Sequence, residues 1–247
     1  MSSIGASSNS AGVSPSEPSA SVPLGQALAL WSLGWSVGGI VLGGLIYAIA
    51  PTDGGTGTVT LAAMAVASWT CLVGALWMAS KLQAVGFWPL YSVQFRWSDL
   101  VGIPVGVVAQ VILVPLVYLP LRAIWPSTFD TSALEETAQE LVDAAGGWRT
   151  VLLVVVVVIG APVVEELVYR GLLQRSATAK WGTFGGLVAA SVFFGVIHLR
   201  PVELPGLTIA GLVFGFMLLR TGRLGTPIVT HAAFNATGIF ALLVTTK

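Results

Sequence analysis

Two adjacent carboxylates, Glu165 and Glu166, followed by Tyr169 and Arg170, stand directly after an apolar run from Val151 to Ile159. A charged group inside a bilayer costs at least about 2.5 kcal/mol and is retained mainly when it is paired or used. Glu166 and Arg170 are at i, i+4, the spacing of an ion pair on one helix face. That pairing leaves Glu165 free, with Tyr169 on the same stripe as a hydrogen-bond partner. Pro162, close behind Gly160, removes a backbone hydrogen bond and should loosen the helix beside the acids. The chain has two histidines, His198 and His231, both in apolar stretches, and Asn235 lies one helical turn beyond His231. Carboxylates and histidines are the usual groups for activating a water and stabilising an oxyanion. The plainer alternatives are an ion-paired helix end and two satisfied core histidines.

Positioning such residues falls to a membrane scaffold. Of 247 residues, 55% are hydrophobic and only 9% charged, against roughly 25% charged in a soluble domain. Seven apolar stretches approach or exceed the ~20 residues that cross a bilayer: 27–50, 59–80, 100–123, 149–174, 183–199, 206–221 and 226–245. The expected fold is all-α, a polytopic bundle of about seven transmembrane helices with the catalytic core in the last four. Gly34/Gly38, Gly39/Gly43 and Gly211/Gly215 are small-residue pairs that let neighbouring helices approach closely. The net charge is zero, which gives no reason to expect a nucleic-acid partner, and the single cysteine, Cys71, excludes an internal disulfide.

Four regions are expected. Residues 1–26, rich in Ser, Ala, Gly and Pro, read as a disordered tail. Residues 27–123 hold three accessory transmembrane helices. Residues 124–148 read as an extramembrane amphipathic helix: Ser132 and Glu135 form a capping box, Leu134, Ala138, Leu141 and Ala145 share a face, and Gly146-Gly147 ends the run. Residues 149–247 form the catalytic core. Lys81, Arg96, Arg175, Lys180 and Arg223 fall in loops on one side, and the acidic 124–148 segment on the other. The positive-inside rule then puts the N-terminus in the cytoplasm and, for seven spans, the C-terminus outside.

Glu165-Glu166-x-x-Tyr169-Arg170, Phe194-x-x-x-His198 and His231-x-x-x-Asn235 resemble, in order, the three motifs of the CAAX protease and bacteriocin-processing family (CPBP, or Abi). That family includes the type II CAAX prenyl endopeptidase. The resemblance covers about residues 149–245 and implies an intramembrane endopeptidase of a bacterial plasma membrane, acting on a membrane-anchored peptide or protein substrate. It implies that Glu165 activates water with help from His198, that His231 and Asn235 stabilise the oxyanion, and that Glu166 with Arg170 holds the helix geometry. No cofactor is required by this scheme. Zinc held by Glu165, His198 and His231 is the metal alternative, although Asn235 is a poor zinc ligand and His-Glu-x-x-His is absent. Two other functions compete: a non-enzymatic immunity or scaffold protein of the same fold, and a proton-coupled transporter using the two glutamates.

One difficulty is built into the spacing. His198 ends the fifth span and His231 opens the seventh, so a fully spanning sixth helix would separate them by up to ~25 Å. Pro201 and Pro205 offer a way out by ending the fifth helix inside a protein-lined cavity.

Overall fold

The computed structural model describes residues 21–50, 57–130, 139–140, 142 and 145–245. Residues 1–20 of the expected tail and most of the expected 124–148 helix, including its capping box, lie outside that set. Residues 24–26 already belong to the first helix, and Val22 is buried in the core.

Among the described residues there is no strand, and six helical stretches are long and apolar enough to cross a bilayer. They are α1 (Leu24–Ile49), α2 (Thr58–Leu82), α3 (Trp97–Ile124), the 50-residue stretch Trp148–Ile197, and two helices called α6 (Leu204–Thr221) and α7 (Gly225–Thr245). The protein is an integral, multi-pass membrane protein. The long stretch would rise about 75 Å if straight, more than twice the ~30 Å of hydrocarbon. It does not run straight. Gly182 adopts φ 75°, ψ 171°, open only to a residue without Cβ. The chain reverses there into two limbs, α4 (148–181) and α5 (183–197), and Tyr169 meets Phe193 and Phe194 across the hairpin. Counted by limb there are seven helices among the described residues, of which α5, at 15 residues, is shorter than the ~20 that cross a bilayer.

Close backbone contacts set the packing. A Cβ on Gly38 would lie 2.7 Å from Ser68 Cα, so α1 rests directly on α2. Gly106 of α3 leaves no room for a Cβ against Thr230 and Phe234 of α7. At one end of that contact Asp99, almost fully buried, accepts from Arg223 (2.6 Å), Thr226 (2.5 Å) and the Arg96 amide (2.7 Å), which staples the start of α3 to the start of α7. At the other, Tyr118 donates to the Val202 carbonyl (2.8 Å) and accepts from the Gly206 amide (3.2 Å), holding the α5–α6 turn against α3.

The burial pattern is inverted relative to a soluble protein. Leu33, Ile40, Leu45, Leu119 and Val151 are exposed, while Glu166, Arg170, Gln174, Thr226, Thr230 and His231 are buried. Lipid covers the first set, and the second must find partners inside the bundle.

Candidate active site

The acids sit on a locally rewound helix. Ala161–Glu165 is ordinary α-helix, flanked by the π-helical stretches Val155–Gly160 and Glu166–Gln174. Proline explains part of this. In the first wide turn the Ala161 amide reaches back to the Val156 carbonyl, and Pro162 has no amide to give. The Val157 carbonyl is therefore left without either of the backbone donors that follow it. Asn235 Nδ2 of α7 donates to it at 2.8 Å. Such rewound turns frequently mark functional sites.

One turn on, Glu166 and Arg170 form the ion pair that the spacing predicts, with Nη1 donating to Oε1 at 3.0 Å. Both are essentially without solvent exposure. A buried pair is costly unless its remaining hydrogen-bonding groups are satisfied, and here the guanidinium is better served than the carboxylate, whose Oε2 has no partner among the described residues. Arg170 Nη2 donates to the Gly211 carbonyl (3.1 Å), and the guanidinium lies over Phe194 (4.5 Å) and Phe214 (5.2 Å). Gln174, a turn further along, donates to the Gly215 carbonyl at 3.1 Å. The Gly211/Gly215 pair of α6 is thus more than a packing stripe, because its carbonyls receive the polar face of α4.

Glu166 has a second partner that the sequence does not disclose. Its Oε1 also takes a hydrogen bond from His231 Nδ1 at 2.9 Å, and the imidazole stacks on Phe214 with centroids 4.4 Å apart. An arginine-paired carboxylate only accepts, so Nδ1 carries the proton and Nε2 faces the other way. Nε2 lies 3.9 Å from Glu165 Oε2. That is too long for a hydrogen bond and short enough for both atoms to touch one water.

His198 approaches from α5. Its Nδ1 lies 2.6 Å from the Phe194 carbonyl, which can only accept, so its Nε2 too is the unprotonated nitrogen of the neutral ring. Glu165 and His198 line one cavity of about 180 Å³, with Tyr169 on its wall. Tyr169 makes no hydrogen bond to Glu165 among the described contacts; its ring packs edge-on to Phe194 at 5.1 Å. The depth difficulty is resolved by the length of α5, which rises only about 22 Å before ending at Ile197. Both histidine rings pack on Phe194, at 4.8 and 5.9 Å between centroids. They are therefore held together within the ~12 Å that a shared site demands.

Glu165, Glu166, Arg170, His198 and His231 come together. Asn235 sits one turn further along α7, tied to Val157, with one amide N–H committed there. The donors of the metal alternative are Glu165, His198 and His231. Among the described residues no three His, Cys, Asp or Glu side chains form a group that could hold an ion. Glu166 is committed to Arg170 and His231, and each histidine engages its Nδ1 and leaves Nε2 open.

The chain is similar to known membrane peptidases over this part of its length. Residues 147–237 match the family model described as "Type II CAAX prenyl endopeptidase Rce1-like". The resemblance drawn from the three motifs therefore holds over that stretch. A curated relative, named "Putative membrane peptidase YdiL", from Bacillus subtilis (strain 168), is 31% identical over 84 residues, 34% of this chain and 34% of the relative. The aligned part spans about a third of that protein. No solved structure matches the chain.

Proposed function

We propose that this protein is an intramembrane endopeptidase that hydrolyses a peptide bond of a membrane-anchored substrate with a water activated by Glu165. The observation that carries the reading is the convergence of Glu165 and His198 on one cavity, with His231 Nε2 3.9 Å from the same carboxylate. Peptide hydrolysis needs a base beside the nucleophilic water and donors where the carbonyl oxygen gains charge. Glu165 and His198 Nε2 are acceptors on one cavity and suit the first task. His231 and the second N–H of Asn235 suit the other.

The steps follow from the proton inventory. Water donates a proton to Glu165 as its oxygen attacks the scissile carbonyl carbon, and the carbonyl π electrons move to oxygen. His231 can donate to that oxyanion only as the imidazolium, since Nδ1–H is already engaged. Glu166, held by Arg170, accepts from Nδ1–H and fixes the ring's orientation, as the carboxylate of a catalytic triad does. Collapse of the intermediate breaks the C–N bond, and the proton held by Glu165 passes to the leaving amine. Glu166 is thus the residue that orients His231, a role distinct from helix geometry alone. No step requires a metal ion.

The test is cleavage by the purified protein in phospholipid vesicles, using peptides with a C-terminal lipid anchor. Wild type is expected to release the fragment that lacks the anchor, while Glu165→Gln and His231→Ala each lose at least ~100-fold in rate, the usual worth of a positioned acid–base group. Folded variants that retain full biological activity without either group would favour a scaffold role. Loss of a proton flux in both would favour transport.

A further inference from the structure

Each end of α3 rests on a different helix. Near its start Gly102 and Gly106 seat it on Thr226 and Thr230 of α7, and near its far end Tyr118 meets Gly206 of α6. The turn Ala109–Leu113 between these contacts is rewound. Toward the start of α3 the two helices part and leave an open groove of about 560 Å³. Its walls include Val105 and Val108 of α3, Val213, Phe216 and Met217 of α6, and Leu187 of α5, and every residue that lines it is apolar. Leu187 reaches it past Gly215, where an added Cβ would lie 2.5 Å from the leucine Cδ1. The groove is separate from the acids. α6 turns Gly211 and Phe214 toward Arg170 and buries Ala210, Gly215 and Leu218 with them, while Val213, Phe216 and Met217 lie on an adjoining face.

That face ends in a charge. Gly206, Val213, Phe216, Met217 and Arg220 recur at the spacing of one helix stripe. Arg220 is exposed and, among the described residues, has neither an ion pair nor a hydrogen bond. It stands about 10 Å past Val213 along the axis, at the end of the bundle whose loops carry Arg96, Arg175, Lys180 and Arg223. Among the described residues the carboxylate at that end is Asp99, which Arg223 already pairs. Over the roughly 14 Å from Pro104 to Leu113 the groove averages about 40 Å² in cross-section, half of what a helix ~10 Å wide occupies. An extended hydrocarbon chain fits where a helix does not. The charge then selects among lipids: each basic residue near an anionic headgroup strengthens binding about fivefold, whereas a zwitterionic headgroup brings its own cation beside Arg220. We propose that the α3–α6 groove binds an anionic phospholipid, with one acyl chain lying between the helices and the phosphate paired to Arg220. Binding there requires nothing of the catalytic residues.

The experiment is native mass spectrometry of the full-length protein released from nanodiscs of equal parts phosphatidylglycerol and phosphatidylcholine, with the lipids that stay bound identified by mass. Wild type is expected to retain one phosphatidylglycerol, in about fivefold preference to phosphatidylcholine. Arg220→Gln is expected to bring that ratio close to one, while Lys81→Gln, which removes a cation of α2 away from the groove, leaves it unchanged. Val108→Trp fills the groove and is expected to lose the retained lipid. A phosphatidylglycerol with a photoreactive group in mid-chain should label residues 104–113 and 212–217. Equal retention of the two lipids by wild type, or an unchanged preference in Arg220→Gln, overturns the anionic site. Equal losses in Lys81→Gln and Arg220→Gln would mean adsorption to a basic surface, and a double-mass species that Val108→Trp splits would mean a helix interface; either overturns the groove. If Val108→Trp does not fold, the photolabel decides, and its absence from both stretches overturns the groove.

Discussion

Glu165 and Glu166 are neighbours in the chain with opposite surroundings. Glu165 is a quarter exposed to the cavity, while Glu166 is fully buried between Arg170 and His231. Neutralising each should therefore fail differently. Glu165→Gln is expected to abolish turnover and leave the unfolding midpoint in mild detergent unchanged. Glu166→Gln leaves the Arg170 charge buried and uncompensated, and is expected to destabilise by about 3–5 kcal/mol as well as inactivate. Equal loss of stability in both would remove the distinction. The Glu166–Arg170 pair was legible because i, i+4 spacing is a property of one helix. The Glu166–His231 bond was not, because it joins groups 65 positions apart and depends on how α7 lies on α4.

At the scale of elements, the rewound turn in α4 links sequence to site. Pro162 frees the Val157 carbonyl, and that carbonyl fixes Asn235. Pro162→Ala restores a backbone donor, and we expect a folded protein whose kcat falls roughly 10- to 100-fold through misplacement of the Asn235 amide. The effects of Pro162→Ala and Asn235→Ala should then be less than additive in the double variant, and full additivity would contradict the link. Loosening beside the acids could be read from the proline alone. Its consequence could not, because a backbone acceptor without a donor leaves no mark in a side-chain pattern. The small-residue contacts were read in part. Gly34 and Gly38 do face α2, whereas Gly102 and Gly106, which seat α3 on Thr226 and Thr230, show no message until the partner helix is known. Gly106→Val is expected to lower stability by about 1–3 kcal/mol, the usual cost of overpacking, measurable as an earlier thermal transition. For the two-histidine depth problem, the span lengths were legible and Pro201 and Pro205 pointed to an early end of the fifth helix, which falls at Ile197.

Over the whole molecule, the bundle keeps its apolar surface for lipid and buries charge among the described residues at the Asp99–Arg223 pair and at the centre around Glu166, beside which α1 and α2 contribute a cavity wall. The peptidase-like stretch 147–237 could be read from its motifs, and the membrane-crossing character of the helices from apolar length. That Trp35 and Trp69 of the first two helices line the cavity could not, since tryptophans in a membrane helix are ordinarily packing or interface residues. The loop charges predict a cytoplasmic N-terminus and, with seven crossings, an external C-terminus. Reporter fusions at the two ends should give opposite sides, and the same side for both would mean a miscounted span. The most direct test of the central claim is a comparison of membrane peptides, by mass spectrometry, from cells carrying wild-type protein and cells carrying Glu165→Gln at equal abundance. The account predicts at least one membrane-anchored peptide that is cut in the first and accumulates uncut in the second. Identical peptide profiles in the two would contradict it.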